Sequence, residues 1–340
     1  MKRAPSSDQF PAYPASWYLF GESRELARGP VSKSLLGRQL VAFRGADGAA
    51  TVMDARCAHM GADLGCGHVE NGAIVCPYHE WRYGADGVCT HAAGLEQPPR
   101  FARQRTFPAV ERHGCVFFFH GAEALFPLPF FGGEAEENYA AARVFRYEAD
   151  CPWYVNNSHA FDRQHFLAAH GRRLLAPPEI DCPAPFARRN RYRAEVLGRT
   201  PLDRTLRALA GRETAISLTV WGGTFVCITG DFDRARSRFL MVTRPLENGG
   251  TLCEGIVLAR RPVSGLALRV KRFFTHGYLA AEAAELRGTR YDPARFVAAD
   301  ADMVDYFHWL AELPQGKVSV PVDGVPDAAA EVAASQPVFV

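Results

Sequence analysis

Two short Cys–His pairs constrain this chain more than any other feature of its sequence. Cys57 and His59 form a C-x-H pair, and after sixteen residues Cys76 and His79 form C-x-x-H. Each pair can present two ligands from one local turn, and the glycines between them permit tight bends. Thiolate and imidazole together suit zinc or an iron–sulfur cluster. This regular spacing argues against incidental residues in a glycine-rich loop.

The distribution of ligand types separates zinc from an iron–sulfur cluster. Zinc fingers usually place at least two residues between their first two ligands. Here each loop supplies one cysteine and one histidine, as in a [2Fe–2S] cluster in which two histidines replace two cysteines on one iron. The spacing, with "CPYH" intact, resembles the Rieske motif. That resemblance implies Cys57 and Cys76 on one iron, and His59 and His79 on the other.

The stretch also departs from the pattern of Rieske oxygenases. These often carry Arg or Lys after the first histidine and Gly after the second, where this chain has Met60 and Glu80. Neither position is a ligand, although groups near the sulfurs tune the potential of a cluster. Cys66, His68 and Cys89 fall outside the ligand spacing, and we expect them to be bystanders.

A second constellation follows in "FDRQHFLAAH", which contains D-x-x-H-x-x-x-x-H as Asp162, His165 and His170. Two imidazoles and a carboxylate form the facial triad of non-haem Fe(II). Histidines five residues apart diverge by about 140° on an ideal helix, so they can share a metal only if the helix bulges or ends. In isolation the alternative is a surface helix with unrelated histidines. His159 and Asn157 lie outside the spacing, and we do not expect them to be ligands.

Together the two constellations resemble the catalytic subunit of Rieske non-haem iron oxygenases, over roughly residues 16–312. The resemblance implies that His165 and His170 bind the mononuclear Fe(II). It also implies that Asp162 is an electron-transfer bridge to His79 of a neighbouring subunit. The subunits would form a ring of three with head-to-tail contacts.

The family's third iron ligand is an Asp or Glu near the C-terminal helix. The stretch "AADADMVDYF" offers Asp300, Asp302 and Asp305. Aligning Met303 and Val304 with the apolar pair of the family pattern favours Asp300. An ordinary charged helix face is the alternative for all three carboxylates.

The hydrophobic patterning predicts an α+β chain in two parts. Residues 16–121 alternate as short strands and form an all-β unit, the Rieske [2Fe–2S] domain. Residues 135–315 form the catalytic domain, with long antiparallel strands over about 185–262 and a helix-grip-like backing. Residues 316–340 lose periodicity and are expected to be an irregular tail.

Three helical regions are predicted in the second part. "WYVNNSHAFDRQHFLAAHG" mixes helix formers with apolar spacing and ends at a glycine. Residues 264–287 and 293–312 are predicted helices, with Ser264 as an N-cap and Pro293 at the first helical position.

Composition limits the functional class. The chain has 340 residues, 48% hydrophobic and 22% charged, with a formal net charge of +2. No apolar run approaches the roughly 20 residues that span a bilayer, and the N-terminus lacks the apolar core of a secretory signal. Nine cysteines at irregular spacing do not fit a disulfide framework. We therefore expect a soluble, cytoplasmic protein that binds no nucleic acid.

The resemblance implies an oxidoreductase, a monooxygenase or dioxygenase that uses O2 and takes electrons from NAD(P)H through a separate reductase, with or without a ferredoxin. The chain has no glycine fingerprint for nicotinamide or flavin. The strands from 216 to 258 offer candidates for an apolar pocket, namely Trp221, Phe225, Ile228, Phe239 and Met241. Such a pocket suits a hydrophobic, ring-containing substrate that is hydroxylated, demethylated or N-oxygenated.

Three alternatives remain open from the sequence. The chain could be an aromatic-ring cis-dihydroxylating dioxygenase. It could also be a Rieske electron-transfer protein without catalysis, or a zinc-stabilised binding protein.

Overall fold

The computed structural model of the chain describes residues 2–168, 171–197 and 201–316. Within these residues the N-terminal half is built from eleven strands: β1 Trp17–Glu22, β2 Val31–Leu35, β3 Arg38–Arg44, β4 Ala50–Asp54, β5 His68–Glu70, β6 Ala73–Val75, β7 Arg82–Tyr83, β8 Cys89–His91, β9 Thr106–Phe107, β10 Ala109–Arg112 and β11 Cys115–Phe119. They form three antiparallel sheets with the orders β1-β11-β10, β2-β3-β4-β9 and β5-β6-β7-β8. The predicted all-β character of this half is confirmed.

The β3–β4 hairpin is buried on both of its faces. Side chains alternate across a strand, so Leu40 and Ala42 of β3 join a core that extends into the C-terminal half. Val41 and Phe43 face the opposite way, toward the cluster that contains the cysteines of the two loops. The predicted turn at "GADG" closes the hairpin, with Gly48 at φ 78°. The first Cys–His loop therefore follows directly after β4, a strand that is packed on both of its faces.

One antiparallel sheet dominates the C-terminal half, as predicted. Its strands are β12 Tyr139–Ala141, β13 Phe145–Ala149, β14 Arg172–Leu174, β15 Glu179–Asp181, β16 Ala187–Val196, β17 Glu213–Trp221, β18 Phe225–Phe232, β19 Arg236–Pro245 and β20 Thr251–Arg260. The main order is β12-β20-β19-β18-β17-β16-β14, with β13 paired to β20 and β15 to β16. Consecutive strands from β17 to β20 pair as hairpins, and the sheet packs against helix α4 through β13 and β20.

The α-helices of the described residues are α1 Trp153–Ser158, α2 Arg163–Ala168, α3 Pro201–Ala210, α4 Gly265–Glu285 and α5 Ala301–Ala311. Short 3-10 helices are Ser7–Gln9, Ser23–Arg28, Leu64–Cys66, Glu136–Asn138, His159–Phe161 and Ala298–Asp300. The prediction of Ser264 as an N-cap is confirmed, because its Oγ accepts a hydrogen bond from the Ala267 amide at 3.1 Å. Helix α3, between β16 and β17, was not predicted. In the part of the chain that the structure describes, no helix is long and apolar enough to cross a membrane.

The prediction of one helix over 293–312 is wrong at its start. Helix α5 begins at Ala301, and Pro293 is not at its first position. The Asp292 side chain accepts from the Ala294 amide, and the Asp300 side chain accepts from the Val297 amide. Aspartate side chains that bond nearby backbone compete with helix formation. These local bonds explain why the chain turns here instead of continuing a helix.

The region predicted to be helical around the second constellation is divided at Asp162. Its backbone there is extended, at φ −93° and ψ 105°, between the 3-10 helix His159–Phe161 and helix α2. After α2, Gly171 has φ 55° and β14 begins at Arg172. A helix end near the two histidines is the condition under which they could share a metal.

A single aromatic core joins the two halves. Phe117 of β11 and Phe225 of β18 have ring centroids 6.0 Å apart, and both side chains are fully buried. The limits predicted for the two domains, 16–121 and 135–315, stay a prediction. The predicted tail begins at Gly316, which is also the last residue that the structure describes. Its amide donates to Tyr13 O at 3.0 Å. Residues 317–340 lie outside the described residues.

Candidate functional site

The two Cys–His loops share one backbone design. The Cys57 carbonyl accepts from the Gly61 amide at 2.8 Å, and the Cys76 carbonyl accepts from the Glu80 amide at 3.1 Å. Gly61 and Glu80 both have positive φ, 73° and 55°. Glycine enters this region without steric cost, whereas other residues are uncommon there. The glutamate that departs from the family pattern therefore still adopts the backbone conformation that glycine favours.

The loops place the four predicted cluster residues together, with the cysteines inside and the histidines outside. Cys57 and Cys76 are buried, His59 is exposed, and His79 is half-buried. The Nδ1 atoms of His59 and His79 are 3.1 Å apart. Two nitrogens bound to one tetrahedral ion at about 2.1 Å are separated by about 3.4 Å. The imidazole pair thus has the spacing of two ligands to a single metal.

The surroundings of the cysteines also fit a bound metal. Burial raises the pKa of the Cys57 thiol and Cys76 raises it further, while a hydrogen bond from Tyr83 lowers it. A thiolate at this buried position therefore requires a compensating cation. The Tyr83 hydroxyl lies 3.2 Å from Cys57 Sγ. Burial raises the pKa of Tyr83 as well, so its hydroxyl keeps its proton and can donate to the thiolate.

The expected bystanders lie apart from this arrangement. Cys66 is exposed in a 3-10 helix, and His68 is exposed on β5. Cys89 is buried, and its Sγ donates to the His91 carbonyl. Trp81, which the sequence did not single out, stacks on His59 with centroids 4.4 Å apart and planes within 4°. This buried indole fixes the orientation of the outer imidazole.

In the second constellation Asp162 organises the start of α2. Its Oδ1 accepts from the Gln164 amide at 2.9 Å and from the His165 amide at 3.2 Å. This is the bonding of a helix N-cap, and it fixes the Asp162 carboxylate close to the His165 backbone. His170 lies outside the described residues.

A buried carboxylate meets the His165 imidazole. Glu282 Oε1 is 3.2 Å from His165 Nε2 and 3.0 Å from His159 Nε2. Candidate ligand atoms of these three residues lie within 4.8 Å of one another. Glu282 was not predicted from the sequence, because "AAEAAE" has the form of an ordinary charged helix face and no nearby ligand signals its role.

The three aspartates proposed from the C-terminal stretch occupy other positions. Asp300 Oδ1 accepts from Gln164 Nε2, and its Oδ2 accepts from the Val297 amide, each at 2.9 Å. Asp302 pairs with Arg163. Asp305 is exposed on α5. Asp300 and Asp302 therefore lie beside α2, where they contact Gln164 and Arg163.

An apolar cavity of about 300 Å³ adjoins the His159–Glu282 pair. Its walls come from the sheet and from α4, and it reaches the side chains of Phe274, Tyr278 and Glu282 on the helix. Of the predicted pocket residues, Ile228, Phe239 and Met241 line it, whereas Phe225 and Trp221 belong to the core. The cavity suits a hydrophobic small molecule, with the polar groups at one end of an apolar chamber.

Asparagines hold the wall of the cavity in place. Asn157 Nδ2 donates to Gly223 O at 2.7 Å and to Thr243 Oγ1 at 2.9 Å, and its Oδ1 accepts from Asn156. Both asparagines are buried and line the cavity. Their bonds tie α1 to the sheet, which positions the chain leading to Asp162 and His165.

Comparisons with known proteins identify the part of the chain that carries the two Cys–His loops. Residues 16–108 match the family model described as the Rieske [2Fe-2S] domain. Aminopyrrolnitrin oxygenase PrnD of Pseudomonas fluorescens is 37% identical over 187 residues, which are 52% of each chain. The oxygenase component of 3-ketosteroid-9-alpha-monooxygenase of Mycolicibacterium smegmatis is 36% identical over 118 residues, 34% of this chain and 31% of that protein. Residues 16–108 of this chain therefore form a Rieske [2Fe-2S] domain.

Solved structures support the fold beyond the Rieske domain. Apo dicamba monooxygenase superposes with a TM-score of 0.66 at 16% identity, covering 88% of this chain and 97% of that one. NdmA of Pseudomonas putida CBB5 with caffeine gives 0.65 at 22% identity, covering 87% and 89%. The sequence alignments span about half or less of those two curated relatives. The chain therefore shares its fold with these two proteins over most of its length.

Proposed function

We propose that the chain is the catalytic component of a Rieske-type oxygenase that oxidises a hydrophobic, ring-containing small molecule. One observation carries the proposal: a Rieske ligand set and a His–carboxylate cluster beside an apolar cavity occur in the same chain. The reaction would be hydroxylation, demethylation or N-oxygenation with O2. The names of two relatives, aminopyrrolnitrin oxygenase and 3-ketosteroid-9-alpha-monooxygenase, support ring compounds of this kind.

The two proposed metal groups would have different chemical roles. Cys57, His59, Cys76 and His79 would hold a [2Fe–2S] cluster, which would supply single electrons, and a mononuclear Fe(II) would supply the activation of O2. We assign His165 and His170 as imidazole ligands of that iron, with a carboxylate as the third. Asp300 is the carboxylate that the sequence pattern favours.

The chain's own residues bind and orient the substrate. Ile228, Phe239 and Met241 exclude water from the cavity and favour an apolar ring. The groups that can hold an iron lie at one wall of the same cavity. A ring bound there would present one edge to that wall, so the shape of the cavity selects which position is oxidised.

We propose that the electrons come from another protein; the names of relatives, which call them an oxygenase component, support a separate reductase. The proposed partners are a reductase that uses NAD(P)H, with or without a ferredoxin, in the cytoplasm. Exposed His59 and half-buried His79 offer the outlet for these electrons. We further propose a homotrimer in which Asp162 of one subunit bridges to His79 of the next.

The test combines iron analysis with turnover. The purified protein should hold about three irons per chain, two in a [2Fe–2S] cluster and one mononuclear. With a generic Rieske reductase, NADH and a panel of hydrophobic ring compounds, it should consume O2 and form an oxidised product, whose label from ¹⁸O₂ separates insertion of one atom from two. Demethylation would release formaldehyde. Two irons and no O2 consumption would indicate an electron-transfer protein, and a colourless zinc protein would refute both readings.

A further inference from the structure

We propose that Glu282 of α4, rather than Asp300, supplies the carboxylate that binds the mononuclear iron beside His165. The inference rests on the proposed oxygenase function. It assigns one ligand of that site to a helix that the sequence pattern did not connect with metal binding.

The first support is the distance between the two ligand atoms. Glu282 Oε1 is 3.2 Å from His165 Nε2. Two ligands at about 2.1 Å from one ion, at right angles to each other, are about 3.0 Å apart. The pair therefore already has the spacing of neighbouring ligands on one metal, and binding needs only small side-chain adjustments.

The second support is the location of Glu282. Its side chain and that of His165 are each 11% exposed, and Glu282 lines the apolar cavity. An iron held by this pair would lie at the cavity wall, where it can be reached by a bound substrate.

Asp300, by contrast, has a sufficient structural role without a metal. Both of its oxygens accept hydrogen bonds, one from Gln164 Nε2 and one from the Val297 amide. Consecutive residues of a helix point about 100° apart, so the partner of Gln164 lies away from the His165 side of α2. The bond to Val297 closes the turn that precedes α5.

His159 is assigned as a positioning residue for Glu282. Its Nε2 lies 3.0 Å from the same Oε1, while its Nδ1 is buried and has no hydrogen-bond partner in the described part of the chain. A histidine that binds metal almost always donates its second N–H to a partner. The geometry thus favours His159 as a donor to Glu282 rather than as a ligand of the iron.

The experiment compares Glu282→Gln with Asp300→Asn, two substitutions that keep the shape of the side chain. Each protein is reconstituted anaerobically with Fe(II), and its iron content is measured together with the visible and EPR spectra of the cluster. We expect Glu282→Gln to keep the cluster and its two irons but to lose the mononuclear iron. Asp300→Asn should keep all three.

The possible results separate the two proposals. Loss of the mononuclear iron from Asp300→Asn, or its retention at wild-type affinity in Glu282→Gln, would overturn the assignment of Glu282 and leave the oxygenase proposal standing. A wild-type protein with cluster iron only would instead refute the oxygenase proposal.

A second variant covers the case in which Glu282→Gln does not fold. Glu282→Asp keeps the charge but shortens the side chain by one methylene. It should retain the cluster spectrum and bind the mononuclear iron at least about tenfold more weakly, as changes near a metal commonly do. Unchanged affinity in this variant would contradict the assignment.

Discussion

The Nδ1 atoms of His59 and His79 lie 3.1 Å apart although they belong to different loops. The cysteines of the same two loops are buried beneath them. This asymmetry gives the proposed cluster a protected side and a side open to solvent. Cysteines that lie nearby but outside the proposed ligand set provide controls for substitutions of the proposed ligands.

Replacing Cys76 by serine should abolish the Rieske cluster, because a neutral hydroxyl cannot replace a thiolate ligand at a buried position. Iron content should fall by about two per chain, and the visible absorption of the cluster should vanish. The matched control is Cys66→Ser, an exposed cysteine of the same region. A Cys66 variant without its cluster would contradict the ligand assignment.

Replacing Tyr83 by phenylalanine should lower the reduction potential of the cluster. The hydroxyl lies 3.2 Å from Cys57 Sγ, and a hydrogen bond to a cluster sulfur stabilises the more negative, reduced state. A bond worth about 1.4 kcal/mol corresponds to about 59 mV for one electron. Redox titration followed by EPR measures the shift. Tyr78→Phe, at an exposed ring, is the control and should leave the potential unchanged.

Replacing Asp162 by alanine should leave both metals bound and stop turnover, because the proposed bridge between subunits is lost. We expect a fall of about 100-fold or more, the upper end of what loss of a partner to a metal ligand costs. Asp233→Ala is matched, since exposed Asp233 also accepts from two backbone amides, those of Arg212 and Glu213. Full steady-state activity of the Asp162 variant would remove the bridge from the mechanism.

Replacing Ile228 by tryptophan should fill the cavity from β18. Binding of bulky ring compounds should weaken at least about tenfold, while overpacking lowers the free energy of unfolding by about 1–3 kcal/mol. Ligand titration and urea unfolding measure the two effects. Ile180→Trp, at a residue that is 39% exposed, serves as the control. Equal affinity for the bulky compounds in the Ile228 variant would place substrate elsewhere.

His120 should make stability depend on pH. Burial lowers its pKa to about 4, so the folded protein keeps this imidazole neutral while the unfolded chain binds a proton below pH 6.5. Its contribution is therefore present above about pH 6.5 and is lost as the pH falls toward 4, by about 2 kcal/mol at pH 5. Urea unfolding of wild type and His120→Asn at pH 5 and 7.5 measures this. A stability difference between the two proteins that does not change with pH would contradict it.

The sequence could predict the parts of the site whose ligands are close together in the chain. The cluster residues come from two tight loops, so their spacing alone indicates their use. Asp162 and His165 are likewise local to one helix start. The strands of the large sheet could be predicted because their apolar pattern repeats every second residue.

The carboxylate beside His165 could not be predicted in the same way. Glu282 is 117 residues from His165, and it meets that histidine only because α4 packs against β13 and β20 of the large sheet. The start of α5 was missed for a related reason. Backbone bonds to Asp292 and Asp300 replace helical bonds there, and a helical pattern of apolar residues does not reveal such competition.

The contact between Phe117 and Phe225 has a consequence for how chains of this design can be recombined. Separating the two halves would expose aromatic surfaces that each now buries against the other. A chimera that takes its cluster half from one relative and its cavity half from another would therefore need matching aromatic side chains at this seam. Exchange of complete chains avoids that requirement. We therefore expect the half that receives electrons and the half that binds substrate to stay paired among such proteins.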